Sequence, residues 1–220
     1  MSVSIKTDNP QEWKSFILSE AQYNIPAECR GGLCVDAGCN IGDFPMNHGS
    51  RFDKYICYDV FDENLEACKE NTSELTVPVE VHKRAVWSSS DEEIDFYAYE
   101  PWDTKDIHHF GACGNISCVE YEGEQGDNYK VENKISSVKT ICLDSIIQEY
   151  GPINLLKIDV EGSEYPFLIG KDLSSVNYIV GEMHMENFKK IELIKWLNNT
   201  NHFNPLHWGN LPPLQTNLTT

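Results

Sequence analysis

Short apolar runs punctuated by turn residues organise the chain. GGLCVDAG (31–38) reads as a buried strand, LCVDA, ending in glycine, and DKYICYDV (53–60) reads as a second. DENLEACKEN (62–71) is a helical stretch. VPVEVHKRAVW (77–87) and EIDFYAY (93–99) are strand-like, and SVKTICLDSIIQEYG (137–151) is a strand turning into a short helix ended by Gly151-Pro152. INLLKIDV (153–160) and VNYIVGEMH (176–184) are further apolar strands. Two amphipathic helices are expected. One follows Asp8-Asn9-Pro10, with Trp13, Phe16, Ile17 and Ala21 on one face. The other covers ENFKKIELIKWLNN (186–199), with Phe188, Ile191, Ile194 and Leu197 aligned.

Apolar strands alternating with helices argue for a parallel sheet covered on both faces. Residues 101–136 break the pattern: they are Gly-rich and polar, and read as an insertion or lid. HFNPLHW (202–208) suits a last edge strand, and the tail from Leu211 is expected to fray. A length of 220 residues fits one domain, with residues 1–30 as an N-terminal helical region.

Composition narrows the function classes. Apolar residues make 40% of the chain, enough for a real core, and the net charge is −18. So acidic a chain lacks the cationic footprint that nucleic acid or an anionic membrane surface requires. No apolar run is long enough for a membrane span, and MSVSIKTDNP carries no signal core, so a cytoplasmic location is expected. Eight cysteines (29, 34, 39, 57, 68, 113, 118 and 142) form no C-x2-C pair and read as buried, reduced thiols. A zinc site at Cys113 and Cys118 has no partner pair at metal spacing. The four N-x-[ST] matches, at Asn71, Asn115, Asn198 and Asn217, read as chance without a secretory signal.

LCVDAGCNIGDF (33–44) carries the chemistry. A strand runs into Asp36, and Gly38, Asn40 and Gly42 pack a tight turn leading toward Phe44. Glycines there let backbone approach a ligand at the carboxyl ends of parallel strands. The pattern G-x-N-x-G is neither a phosphate loop nor the glycine arrangement of a nicotinamide site, which makes a nicotinamide-dependent oxidoreductase the disfavoured rival. Asp36 beside the turn would repel a pyrophosphate and attract a cation. Asp59 ends the next strand 21 residues after Gly38, the place from which an acid accepts both ribose hydroxyls.

VDAGCNIGDF (35–44) is similar to the first motif of class I S-adenosylmethionine-dependent methyltransferases. The full pattern resembles the FkbM family within that class: YDVFDENLEAC (58–68), KRAVWSSSDEEIDFY (83–97), SVKTICLDSII (137–147), LLKIDVEGSEYPFLIG (155–170) and VGEMH (180–184) follow in its order. Members usually carry Glu-Pro where Asp59-Val60 stands, and Ala where Cys39 stands. The resemblance implies an α/β, Rossmann-like fold with a mostly parallel seven-stranded sheet. It implies S-adenosylmethionine as cofactor and a sugar, glycan or small-molecule hydroxyl as acceptor. A catalytically silent binding module of the same fold is the other alternative.

The same resemblance assigns residues. Gly38, Cys39, Asn40 and Gly42 would cradle the methionine part, and Asp36 would face its cationic side. Asp59 would hold the ribose, Val60 or Phe61 would pack on the adenine, and Arg84 and Ala85 would border its other side. Asp159 is the first choice beside the sulfonium and acceptor, and Glu161 the second. Continued strand would send those two to opposite faces, unless the chain turns at Gly162. Glu182 and His184 end the next strand on one face. The group would act as general base, or Asp159, Glu182 and His184 would bind a divalent cation, with Mg, Mn and Zn all compatible. His108-His109 in the insertion would face substrate or solvent.

Overall fold

The computed structural model describes residues 23–99, 131–185 and 187–202, with strand pieces at 114–115, 121–122 and 128–129. The helix expected at 10–21, His108-His109, Cys113 and Cys118 lie outside the described residues. So do most of the 101–136 insertion, nearly all of the edge strand expected at 202–208, and the tail from Leu211.

The chain order is β1 (Leu33–Ala37), α1 (Asp43–His48), β2 (Lys54–Asp59), α2 (Asp62–Thr72), β3 (Val79–Lys83) and β4 (Ala85–Val86). Next come β5 (Glu93–Tyr99), the short β6 (Gly114–Asn115), β7 (Tyr121–Glu122) and β8 (Asn128–Tyr129), then β9 (Val131–Ile141) and α3 (Leu143–Tyr150). β10 (Ile153–Ile158), α4 (Glu164–Leu168), β11 (Val176–Gly181) and α5 (Asn187–Asn199) complete it.

The main sheet runs β11-β10-β1-β2-β3, every pairing parallel. Its strands are apolar almost throughout because both faces are covered. Val35, Ala37, Ile56, Leu156 and Ile158 pack with Leu143 and Ile146 of α3, Phe167 of α4 and Leu193 and Leu197 of α5. The alternate positions Cys34, Tyr55, Cys57 and Leu155 face Phe44 of α1 and Leu65 and Cys68 of α2. β1 lies between β2 and β10, so the strand order reverses at its carboxyl end, where such sheets open a crevice.

The sheet differs from expectation in one respect: among the described residues it has five strands rather than seven. EIDFYAY and SVKTIC pair with each other antiparallel, in a second sheet ordered β4-β9-β5-β6. Their patterns explain this. Phe96, Val138 and Thr140 are buried while Glu93 and Lys139 are exposed, so each strand has one wet face and cannot sit inside a doubly covered sheet. VPVEVHKRAVW also divides: β3 stays in the main sheet, and β4 crosses to pair with β9. β9 begins at Val131, inside the expected insertion.

α5 buries a different face from the one expected. Lys190, Leu193 and Leu197 are buried, while Phe188 is 63% and Ile191 53% exposed. Residues spaced three apart drift about 60° per step around a helix, so Phe188 ends up opposite Leu197. The three-then-four spacing of 190, 193 and 197 holds one face. No helix among the described residues is long and apolar enough to cross a membrane. Cys29, Cys34, Cys39, Cys57, Cys68 and Cys142 are buried free thiols.

Two glycines set the strand ends. A Cβ on Gly38, whose φ is +78°, would stand 1.8 Å from the Asp159 carbonyl oxygen. One on Gly181 would stand 1.9 Å from that of Ile158. Both neighbours of β10 thus close onto its last residues. Gly38→Ala combines left-handed strain with a backbone collision and is expected to lower stability by about 2–4 kcal/mol. Gly151→Ala, at φ +88° with open space around it, should cost only about 1–2 kcal/mol. Urea denaturation checks the pair, and equal losses would show that Asp159 gives way freely.

Candidate active site

The turn after β1 is held from both sides. The N–H groups of Gly38 and Cys39 donate to the Tyr58 carbonyl at 2.9 and 3.0 Å, and the Asp159 N–H donates to the Ala37 carbonyl at 3.0 Å. Asn40 sits at φ 45° and Gly42 at φ 83°, so the chain doubles back before α1. The Asn40 side-chain oxygen is buried without a hydrogen-bond partner among the described residues. Asp36 lies under this turn rather than in the crevice. It is fully buried, with Lys157 Nζ 3.2 Å from its Oδ1. The same ammonium donates to the Gly38 carbonyl at 2.6 Å. Burial pushes the Asp36 carboxyl up to about 6, against the pull of Lys157. Burial opposes the Lys157 charge, and Asp36 and its anionic neighbours outweigh it, keeping the ammonium protonated.

Asp59 closes the other side. Its Oδ1 accepts from the N–H groups of Val60 (2.7 Å) and Phe61 (3.0 Å) and from Asn64 Nδ2 (3.3 Å). Its Oδ2 accepts from the Asn40 N–H at 3.0 Å. Burial raises this carboxyl to about 6 despite those donors. A carboxylate offers about four acceptor places, so among the described residues Oδ1 is saturated and Oδ2 keeps one. The Arg84 N–H donates to the Asp59 carbonyl at 3.1 Å, which brings Arg84 and the buried Ala85 beside the same strand end. The Arg84 guanidinium reaches Asp91 at 3.2 Å. Phe61 turns inward and meets Phe96 edge-on at 5.2 Å, while half-buried Val60 packs at the margin of that cluster.

Four carboxylates surround His184. Its Nδ1 lies 3.1 Å from Glu164 Oε1 and 3.6 Å from Asp159 Oδ1. Its Nε2 lies 3.3 Å from Glu182 Oε2 and 3.8 Å from Glu161 Oε1. β10 stops at Ile158, and Glu161, at φ 51°, and Gly162 reverse the chain. Asp159 and Glu161 therefore face the same group instead of opposite sides of a strand. Candidate ligand atoms of Asp159, Glu161 and His184 lie within 4.8 Å of one another. Burial pushes Glu161 up to about 8, with Asp159, Glu164 and Glu182 adding to the rise and His184 opposing it. Burial works against the His184 charge, but the carboxylates raise its pKa well above the ordinary value, so it stands as an imidazolium.

The FkbM methyltransferase domain matches residues 37–203, from the end of β1 to beyond α5. The chain belongs to the FkbM methyltransferase family. No curated protein and no solved structure matches significantly. The match encloses the glycine turn, Asp59 and the His184 cluster, so this methyltransferase carries all three within its family domain.

Several residues of the site are not evident from sequence patterns. Glu164 is fully buried and accepts from the Val160 and Gly162 N–H groups at 3.3 and 3.0 Å, which braces the reversal that presents Glu161. Its position at a helix start was the available signal. Lys157 interrupts an apolar strand, which was the signal for a buried partner. The Tyr23 hydroxyl donates to Asp159 Oδ2 at 3.2 Å from 136 residues away, and no local pattern announces such a contact.

Lys157→Met leaves Asp36 buried without its counter-charge. It should cost this methyltransferase about 3–5 kcal/mol, and Asp36→Asn added to it should recover part of the loss. Denaturation midpoints of the unaltered chain, Lys157→Met, Asp36→Asn and the double variant test this, and full additivity would mean that the two charges do not interact.

Proposed function

We propose that this methyltransferase uses S-adenosylmethionine to methylate a hydroxyl oxygen of a sugar, glycan or small molecule. The observation that carries the reading is the placement of Asp59: its Oδ2 keeps a free acceptor place at the strand end opposite the glycine turn. A ribose hydroxyl can take that place. The backbone of Gly38, Cys39, Asn40 and Gly42 borders the methionine side, and the unpartnered Asn40 oxygen offers an acceptor to its ammonium. Val60, Arg84 and Ala85 flank the adenine. These residues fit a cationic adenosyl ligand better than a pyrophosphate, because the crevice is lined by carboxylates. When bound, S-adenosylmethionine supplies an electrophilic methyl group on a sulfonium.

The remaining work falls to the strand ends. Asp159, steadied by Tyr23, orients the acceptor hydroxyl. Glu161, in its ionised form and therefore increasingly as pH rises through about 8, takes its proton as the oxygen attacks, and Glu182 and His184 hold the two carboxylates in place. Much of the acceleration in such a transfer comes from in-line positioning and exclusion of water, so few side chains are needed. The concentration of negative charge favours a neutral, hydroxyl-rich acceptor over nucleic acid. Asp36 serves through Lys157, which fixes the Gly38 carbonyl. A divalent cation is the alternative for proton removal. Asp159 and Glu182 face different ring nitrogens of His184, and Glu161 rather than Glu182 completes the set with Asp159 and His184; His184 must then give up its proton.

S-adenosylhomocysteine should bind by calorimetry, and a radiolabelled methyl-transfer screen over hydroxylated metabolites should find an acceptor. Glu161→Gln should then cut turnover by about 10²–10⁴-fold while cofactor affinity stays unchanged. Unaltered turnover removes Glu161 as the base, and turnover abolished by EDTA assigns the proton step to a metal. A chain that binds no S-adenosyl ligand is a silent scaffold.

A further inference from the structure

Beside the glycine turn three sulfurs converge in the buried cluster that covers one face of the main sheet. Cys39 comes from the turn, Cys57 from β2 and Cys68 from α2. All three are fully buried, and their Sγ atoms lie within 4.8 Å of one another. They draw on three separate segments of chain, so their meeting is a product of the fold rather than of a local spacing. A Cβ on Gly42 would stand 2.9 Å from Cys68 Sγ, so the turn is shaped around that sulfur.

We infer that Cys39, Cys57 and Cys68 form a trigonal thiolate site for a monovalent soft cation, Cu(I). A metal–sulfur bond of about 2.3 Å places three trigonal sulfurs about 4.0 Å apart, within the spread observed here. Soft sulfur donors select Cu(I), zinc or iron–sulfur clusters. Structural zinc takes four ligands, whereas the described residues supply three in a closed pocket walled by Phe44, Tyr55 and Leu65. Thiols that ligate as thiolates pass their protons to solvent.

The site is independent of the methyl-transfer reading, because all three sulfur-bearing residues are fully buried. Its effect would be to tie the turn, β2 and α2 into one unit.

The test is anaerobic titration of the full chain with Cu(I) in competition with a chromophoric Cu(I) chelator, followed by X-ray absorption. The expected result is tight uptake with three sulfur neighbours around copper. Cys57→Ala should weaken that uptake by about 100-fold, at least the upper end of what even an outer-shell change costs. Cys68→Ala should do the same, and serves if Cys57→Ala fails to fold. Uptake unchanged in both variants, copper held by two sulfurs, or binding of Zn(II) but not Cu(I) would overturn the assignment.

Discussion

The ion pair of Asp36 and Lys157 governs the geometry of this protein. Both groups are withdrawn from water, so each needs the other. They point from adjacent parallel strands to the face that also carries Cys34 and Leu155. Because Lys157 also holds the Gly38 carbonyl, the pair locks the end of β1 to the end of β10. Only a residue without a side chain can then occupy position 38, since the Asp159 carbonyl fills the space a Cβ would need. The glycine turn is therefore set by a charge constraint below it.

The same convergence explains the crowding of carboxylates. Gly38 and Gly181 bring β1 and β11 close onto β10, and the reversal at Glu161-Gly162 returns the chain to the strand ends. Four acids then share one histidine. Their mutual repulsion is relieved by keeping that ring protonated, so His184 stands as their counter-cation. Glu161 is left in a left-handed conformation rarely adopted outside glycine. Such strain persists where the surroundings over-determine it, and here Glu164 does so through two backbone donors.

Much of this architecture is legible in the amino-acid order. The five core strands, the turn after Ala37 and the acid at 59 follow from apolar runs and glycine spacing, because those features depend on neighbours a few residues away. The allocation of strands to sheets is less accessible. EIDFYAY and SVKTIC look like further sheet members until their wet faces are counted. The buried face of α5 is hidden in the sequence because apolar residues three apart mimic a stripe that in fact winds around the helix. Partners such as Tyr23 for Asp159 or Glu164 for His184 depend on distant segments meeting, and nothing local encodes them.

Asp59 shows how fold and candidate chemistry share one group. Three of its four donors come from backbone N–H groups, two of them at the entry to α2 and one from the turn after β1. The carboxylate thus clips that turn to the helix before any ligand arrives. The short aspartate arm suits this duty, since it keeps the carboxylate close to its own following N–H groups. A glutamate, one methylene longer, would reach further into the crevice at the expense of that clip. The residue at which this chain departs from the Glu-Pro pair that the resemblance leads one to expect therefore ties the strand end to the stability of the turn, and on the proposed reading it couples ligand binding to loop order.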